Sequence, residues 1–221
     1  ADEFIAKTGS YGIGLDMYLR KGSIYQQLDM LPEAIAVLKT VSRRGNKTQR
    51  YSALMSLGQI YLDDKEDLEG ARRALEEAVS INAHERALHL LLRIYEGLQD
   101  FKRAVAILER LRKRRPEDPS ILERLGMVYL RAGETADAII AFTQALEFQP
   151  GDVSIHLNLI EACVRHGQIA GAKSRLREID ELGLSMAQRQ RLAEIYRVLA
   201  NCYEENSASS QRYMCISLIH Q

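Results

Sequence analysis

The chain has 221 residues, with 30 Lys or Arg against 30 Asp or Glu, so its formal charge is zero. That balance argues against a dedicated nucleic-acid binder, whose domain is normally basic. A 46% hydrophobic and 27% charged composition excludes a disordered chain or a disulfide scaffold.

With 14 Gly and 4 Pro, few breakers interrupt the chain, and this points to helices. No stretch approaches the roughly 18 apolar residues that a membrane span needs. Cys163, Cys202 and Cys215 show no framework spacing, which points to a reducing, cytoplasmic location. The start at Ala1 reads as a processed or trimmed product and leaves a periplasmic or organellar location open.

Residues 1–14 contain the Gly-rich KTGSYGIG, fit no repeat, and are expected to be a flexible lead-in. From residue 15 a two-helix pattern recurs. Residues 15–50 carry Tyr18, Gly22 and Tyr25, then Ala34, Leu38 and Val41. Residues 51–84 carry Leu54, Leu57, Gly58 and Tyr61, then Ala71, Leu75 and Ala78. Here the second helix is displaced by one, so the turn at 63–67 (DDKED) has one extra residue. Residues 85–118 carry Leu88, Leu91, Leu92 and Tyr95, then Ala104, Leu108, Leu111 and Pro116. Residues 119–152 carry Leu122, Leu125, Gly126 and Tyr129, then Ala138, Phe142, Ala145 and Pro150. Residues 153–186 carry His156, Leu159, Cys163 and Gly167, then Ala172, Leu176 and Ile179. Tyr196, Leu199, Ala200 and Tyr203 make a partial sixth unit over 187–205, and 206–221 is expected to be a short helix or cap.

The spacing within each half keeps apolar residues on one face of a helix. Gly133 falls where a helix should stop, and Pro150 cannot continue one. Small residues such as Gly58, Gly126 and Ala138 sit where helices approach closely, and large ones such as Tyr61, Leu108 and Phe142 fill the gaps. One such pair cannot bury its apolar face alone, whereas stacked neighbours can. The expected fold is all-α: a solenoid of five to six helix pairs over 15–205.

These positions resemble the tetratricopeptide repeat, whose unit of about 34 residues carries a large residue, Leu-Gly, Tyr, Ala, Phe, Ala and Pro. The match is nearly complete over 119–152, while Leu92 and Ile160 replace the glycine in two units. The resemblance implies a right-handed α-α superhelix. Its first helices line a concave groove and its second helices form a convex back. It implies a non-catalytic adaptor that binds an extended segment of another protein.

Mapped onto this sequence, the resemblance places Arg20, Met55 and Gln59 in the groove. It adds Arg86, His89 and Arg93 from the third unit, and Arg124, Met127 and Arg131 from the fourth. Asn158, Arg165 and Arg197 extend the row, and the same mapping places Asp16, Leu19, Ser23, Gln26, Ser52, Ser56, Leu62, Leu90, Glu96, Glu123, Leu130, Ser154, Leu157, Glu161 and Asn201 at neighbouring groove positions. Arginine holds carboxylates with paired donors, and methionine adapts to varied shapes. The expected ligand is therefore an extended acidic segment, bound along Arg93, Arg124 and Arg131 with salt-sensitive affinity. The competing reading is a solvated face whose arginines pair with Glu96, Glu123 and Glu161. The family's clamp for the C-terminal carboxylate of chaperone peptides is not matched, since Asn158 and Arg124 are isolated.

Other features read as structural. The basic run Arg110, Arg112, Lys113, Arg114 and Arg115 ends a second helix, where cations favour the helix C-terminus. Cys163 and His166 lack further ligands nearby, so no metal is expected. GSYGIG lacks the Lys and Ser/Thr of a phosphate loop. No catalytic residue and no cofactor is expected. Two other functions remain in view. One is a self-associating scaffold, stacking through solenoid ends with Tyr213, Met214, Ile216, Leu218 and Ile219 at one of them. The other is the targeting segment of a larger enzyme or regulator.

Overall fold

The computed structural model describes residues 11–63, 67–180 and 184–205. Among the described residues there are eleven helices and no strand. The chain divides into two compact units, Ala1–Ile107 and Leu108–Gln221.

The first unit holds α1 (Tyr11–Gln27), α2 (Leu31–Arg44), α3 (Lys47–Asp63), α4 (Leu68–Ile81) and α5 (Glu85–Gly97). α6 (Phe101–Arg112) runs across the division. The second unit continues with α7 (Pro119–Ala132), α8 (Thr135–Phe148), α9 (Val153–Arg165), α10 (Ile169–Asp180) and α11 (Met186–Glu205). In the first unit α1, α2, α3, α4 and α5 pack successively along the chain, and in the second α7, α8, α9 and α10 do the same. The first helices of successive repeats also touch, α1 with α3 and α3 with α5 in one unit, α7 with α9 and α9 with α11 in the other. Each unit therefore presents a layer of first helices.

The glycines of the repeat explain how its two helices come so close. A Cβ on Gly126 would lie 2.5 Å from a ring carbon of Phe142, and one on Gly58 would lie 2.5 Å from Leu75. Gly22 meets Leu38 in the same way at 2.9 Å. At such distances a methyl group fits only if the facing Phe or Leu side chain shifts, a displacement that hydrogen does not require. Gly58 meets a residue 17 positions on, against 16 for Gly22 and Gly126, so the extra residue of the 63–67 turn is accommodated without losing the contact. Leu92 and Ile160, which replace the glycine, are fully buried.

Local signals set the helix ends. Asp67, Asp118 and Asp152 each accept a backbone N–H in the first turn of the helix they precede, at 2.7, 3.0 and 2.8 Å. The turns inside the pairs place Gly133 and Gly167 in the left-handed region, both at φ 82°. Asp29 and Gln99 take that conformation in other repeats, at φ 58° and 57°, where a side chain makes it costlier. The repeat tyrosine Tyr95 is buried, and its hydroxyl donates to Glu76 Oε1 at 2.8 Å.

One boundary differs from expectation. α1 begins at Tyr11, so residues 11–14 of the expected lead-in are helical. Burial of Leu15 one residue further on anchors this turn and offsets the helix cost of Gly12 and Gly14. The sixth first helix is present: Leu192, Ile195 and Tyr196 of α11 join the core of the second unit. Residues 206–221, with the apolar C-terminal set from Tyr213 to Ile219, lie outside the described residues.

Candidate protein-binding groove

In the first unit, α1, α3 and α5 together line a cleft of about 400 Å³. It brings together three of the expected site residues, Met55, Gln59 and Arg86. The neighbouring groove positions Gln26, Ser52, Ser56 and Leu90 are there as well. Met55 and the buried Leu90 give an apolar floor. The hydroxyls and amides around them give hydrogen-bonding groups at several points. Arg86 is exposed and has no carboxylate at ion-pair distance among the described residues. Arg20, His89 and Arg93 do not line this cleft. Arg20 and Arg93 are exposed, and His89 Nε2 stands 3.6 Å from Glu85.

Two lining residues escape the repeat mapping, Tyr51 and His84. His84 is the cap of α5, and its Nδ1 accepts the Arg86 N–H at 3.4 Å. A cap lies outside the helical register, so groove positions counted along a helix cannot find it. Tyr51 stands beside the mapped Ser52, and burial pushes its hydroxyl pKa up, partly offset by Arg86.

The floor of α1 against α3 is built from a capping box. Asn46 Oδ1 accepts the Gln49 N–H at 2.9 Å, and Gln49 Oε1 accepts the Asn46 N–H at 3.1 Å. Gln49 Nε2 then donates to Asp16 Oδ1 at 2.8 Å. Asp16, a mapped groove position, is thus already committed within the unit.

The first-helix layer of the second unit is of a different kind. Asn158 is only 3% exposed, so it is a buried network residue and not a groove contact. Its Nδ2 donates to Glu123 Oε1 at 3.0 Å, and its Oδ1 accepts from Arg191 of α11. Arg191 also reaches Glu161 at 3.3 Å, and Glu161 pairs with Arg165 at 2.7 Å. One chain of polar groups therefore ties α7, α9 and α11 together. The paired-face reading holds for Arg165. Arg124 is half-buried and engaged, and Met127 packs against the core. Arg131 and Arg197 are exposed.

Burial, more than any neighbour, raises the pKa of Glu123, and Asp152 adds to it. Arg191 and the Asn158 hydrogen bond act the other way. The folded carboxyl thus holds its proton to higher pH than the unfolded one. Its favourable share of stability is complete below the unfolded value of about 4.3 and is lost as pH rises through the folded value. Glu123→Gln keeps an acceptor for Asn158 and removes the buried charge. The variant is expected to be more stable than the parent at neutral pH, with the difference closing towards pH 4 in urea titrations. A less stable variant at neutral pH would show that attraction to Arg191 outweighs burial.

Several of the remaining side chains have partners within their own unit. Cys163 is buried in the core, and burial raises its thiol pKa. His166 Nδ1 lies 2.8 Å from Thr135 Oγ1, and His156 Nε2 lies 2.7 Å from the Pro150 carbonyl. In the basic run, Arg112 pairs with Glu109 at 3.0 Å and Arg115 with Asp118 at 2.9 Å. No helix among the described residues is long and apolar enough to cross a membrane.

Two tetratricopeptide repeat models match the chain, one over residues 19–86 and 89–153 and the other over 129–202. The chain belongs to the tetratricopeptide repeat family. Its fold is similar to that of the crystal structure of MamA protein, with a TM-score of 0.62 at 20% identity, covering 79% of this chain and 93% of that one. A MamA AMB-1 structure matches with a TM-score of 0.60 at 20% identity, over 79% and 96% of the two chains. MamA from Desulfovibrio magneticus RS-1 (41-end) matches with a TM-score of 0.56 at 18% identity, over 76% and 94%. At these identities the likeness concerns the fold, a solenoid of helix pairs. No curated protein matches the chain. Tetratricopeptide repeats are protein-interaction modules, and this chain carries their architecture.

Proposed function

We propose that the chain is a non-catalytic adaptor that holds an extended, acidic segment of a partner protein on the first-helix layer of its first unit. The observation that carries this reading is the cleft of about 400 Å³ shared by α1, α3 and α5. Three successive repeats contribute to it, as suits a ligand that runs along the repeat axis. Met55 and Leu90 accept an apolar side chain, Gln26, Ser52, Ser56 and Gln59 meet backbone amides, and Arg86 takes a carboxylate. The contrast between the units supports the choice of place. Arg86 has no ion pair among the described residues, whereas Arg165 is already neutralised by Glu161.

The test is capture of partners from source lysate, read by mass spectrometry, with the native chain and an Arg86→Glu variant checked for unchanged helicity. Reversing a charge that meets a carboxylate is expected to weaken the captured partner at least about tenfold. Raising the salt should weaken native capture in the same direction. A partner held equally by both chains would remove the groove from consideration.

A second reading, self-association, has one observation in its favour. Met17 and Ile24 are exposed large apolar residues seven apart, on one side of α1, and the exposed Leu28 follows in the turn after it. Light scattering across concentration separates the readings. A mass that stays constant ends this one.

A further inference from the structure

The second unit has an apolar surface outside its first-helix layer. On α8, Ile140 and Phe148 are 55% and 45% exposed. They lie eight residues apart, with Gln144 between them at i+4, so all three share one stripe. Of the exposed large hydrophobic residues in this unit, only Met186 lies elsewhere among the described residues. Such residues scattered singly need no explanation, but two on one stripe beside a cavity do.

The cavity is there. A cleft of about 410 Å³ opens between the end of α8 and the chain that leaves α6. Pro116, Leu122 and Phe148 supply its apolar wall. Arg112 and Lys113 supply its cationic rim, and Gln144 and Glu147 line the α8 side. The connecting chain is held in shape by its own backbone. The Lys113 N–H donates to Glu109 O, and the Arg114 and Arg115 N–H groups both donate to Leu111 O, each at 3.0 Å. The cleft is therefore largely preformed.

Charge decides what can enter. Arg112 is paired with Glu109. Arg115 is paired with Asp118, which also caps α7. Lys113 is exposed, and no carboxylate lies at ion-pair distance from it among the described residues. Glu147 on the opposite side disfavours a polyanion along the whole cleft. What fits is one apolar side chain on Phe148 and Pro116 with one carboxylate beside it at Lys113. A nucleic acid or a lipid surface would meet Glu147 and waste the apolar wall.

We infer that this cleft is a second docking site, for a short segment of a partner protein with an aromatic or aliphatic anchor next to an Asp or Glu. It is independent of the groove in the first unit, since the two share no residue. Anchors of this kind dominate small interfaces, and the flanking charge sets register and on-rate.

The test pans a random dodecapeptide display library on the immobilised full chain. Recovered peptides are then titrated against the native chain and the variants Lys113→Glu, Phe148→Ser and Arg86→Glu. Expected are peptides with an apolar residue beside a carboxylate that lose about tenfold or more in affinity with Lys113→Glu and with Phe148→Ser, and stay unchanged with Arg86→Glu. Lys113 lies in an exposed turn, so its variant keeps the test alive if Phe148→Ser fails to fold. Two further probes are single-stranded oligothymidine and vesicles containing phosphatidylserine. The proposal is overturned if no recovered peptide depends on Lys113. It is equally overturned if either probe binds in a Lys113-dependent way that ignores Phe148.

Discussion

Replacing Phe142 by alanine is expected to cost about 3–5 kcal/mol, since it is among the largest fully buried side chains of the described residues. Phe142 is fully buried on α8 and lies directly against Gly126 of α7. Truncation leaves a cavity that the rigid helix pair cannot close, because both helices are also packed on their neighbours. Gly126→Ala tests the same contact from the other side. Its methyl group would stand 2.5 Å from the ring, so overpacking of about 1–3 kcal/mol competes with a gain of about 1 kcal/mol in helix propensity. In the Phe142→Ala background the clash is gone and only the gain remains. The second substitution should then become neutral or stabilising, a coupling that a double-mutant cycle reads directly. Repeats contact only their neighbours. Loss of amide protection should therefore concentrate in α7, α8 and α9 and spare α3 and α4. Denaturation curves in urea give the size, and hydrogen exchange gives the place. A loss under 1 kcal/mol, or an even loss of protection, would contradict this account of the repeat.

That Gly58 and Gly126 stand where helices approach closely, and that the second helix of 51–84 is one residue out of step, was legible in the letters; that the two glycines meet Leu75 and Phe142 comes from the packing. The helix stop at Gly133 was legible too, and Gly167 recurs one repeat later. The equivalent left-handed turns at Asp29 and Gln99 were not, since nothing in a residue with a side chain announces positive φ. Groove positions were legible as a register and not as an environment. Arg165 and Glu161 stand at i and i−4, so their ion pair could be read from spacing. The fate of Asn158 could not. Its burial depends on Arg191, 33 residues away on another helix, coming to lie over it. Gln49 is similar. Asn-x-x-Gln declares a capping box, but its bond to Asp16 also spans 33 residues and exists only once α1 and α3 are packed. His84 was missed for a third reason: it lines the cleft from a cap, where no helical count applies.

Asn158→Leu carries the second large effect. Leucine keeps the volume and removes both hydrogen bonds, so Glu123 loses its donor and Arg191 loses one of its two acceptors. A half-buried carboxylate with a pKa already raised by burial is poorly placed to stand alone. The expected cost is about 1–3 kcal/mol for the broken network. It should appear first as faster exchange in α11, because Arg191 is a polar link from that helix to α9 beside the apolar contacts. Asn158→Asp separates hydrogen bonding from charge. It keeps an acceptor for Arg191 but sets a second carboxylate against Glu123, with no donor between them. At neutral pH this variant is also destabilised, since two like charges share one partly desolvated site. As pH falls towards about 4, one of the two takes up a proton and can donate to the other, so the stability of Asn158→Asp recovers steeply, whereas Asn158→Leu recovers only the smaller share that protonation of Glu123 returns. Parallel urea titrations of the two variants at neutral and acid pH decide the matter. Equal pH dependence in both would mean that α11 is held by its apolar face, Leu192, Ile195 and Tyr196, and that the polar chain only occupies a surface that packing has already closed.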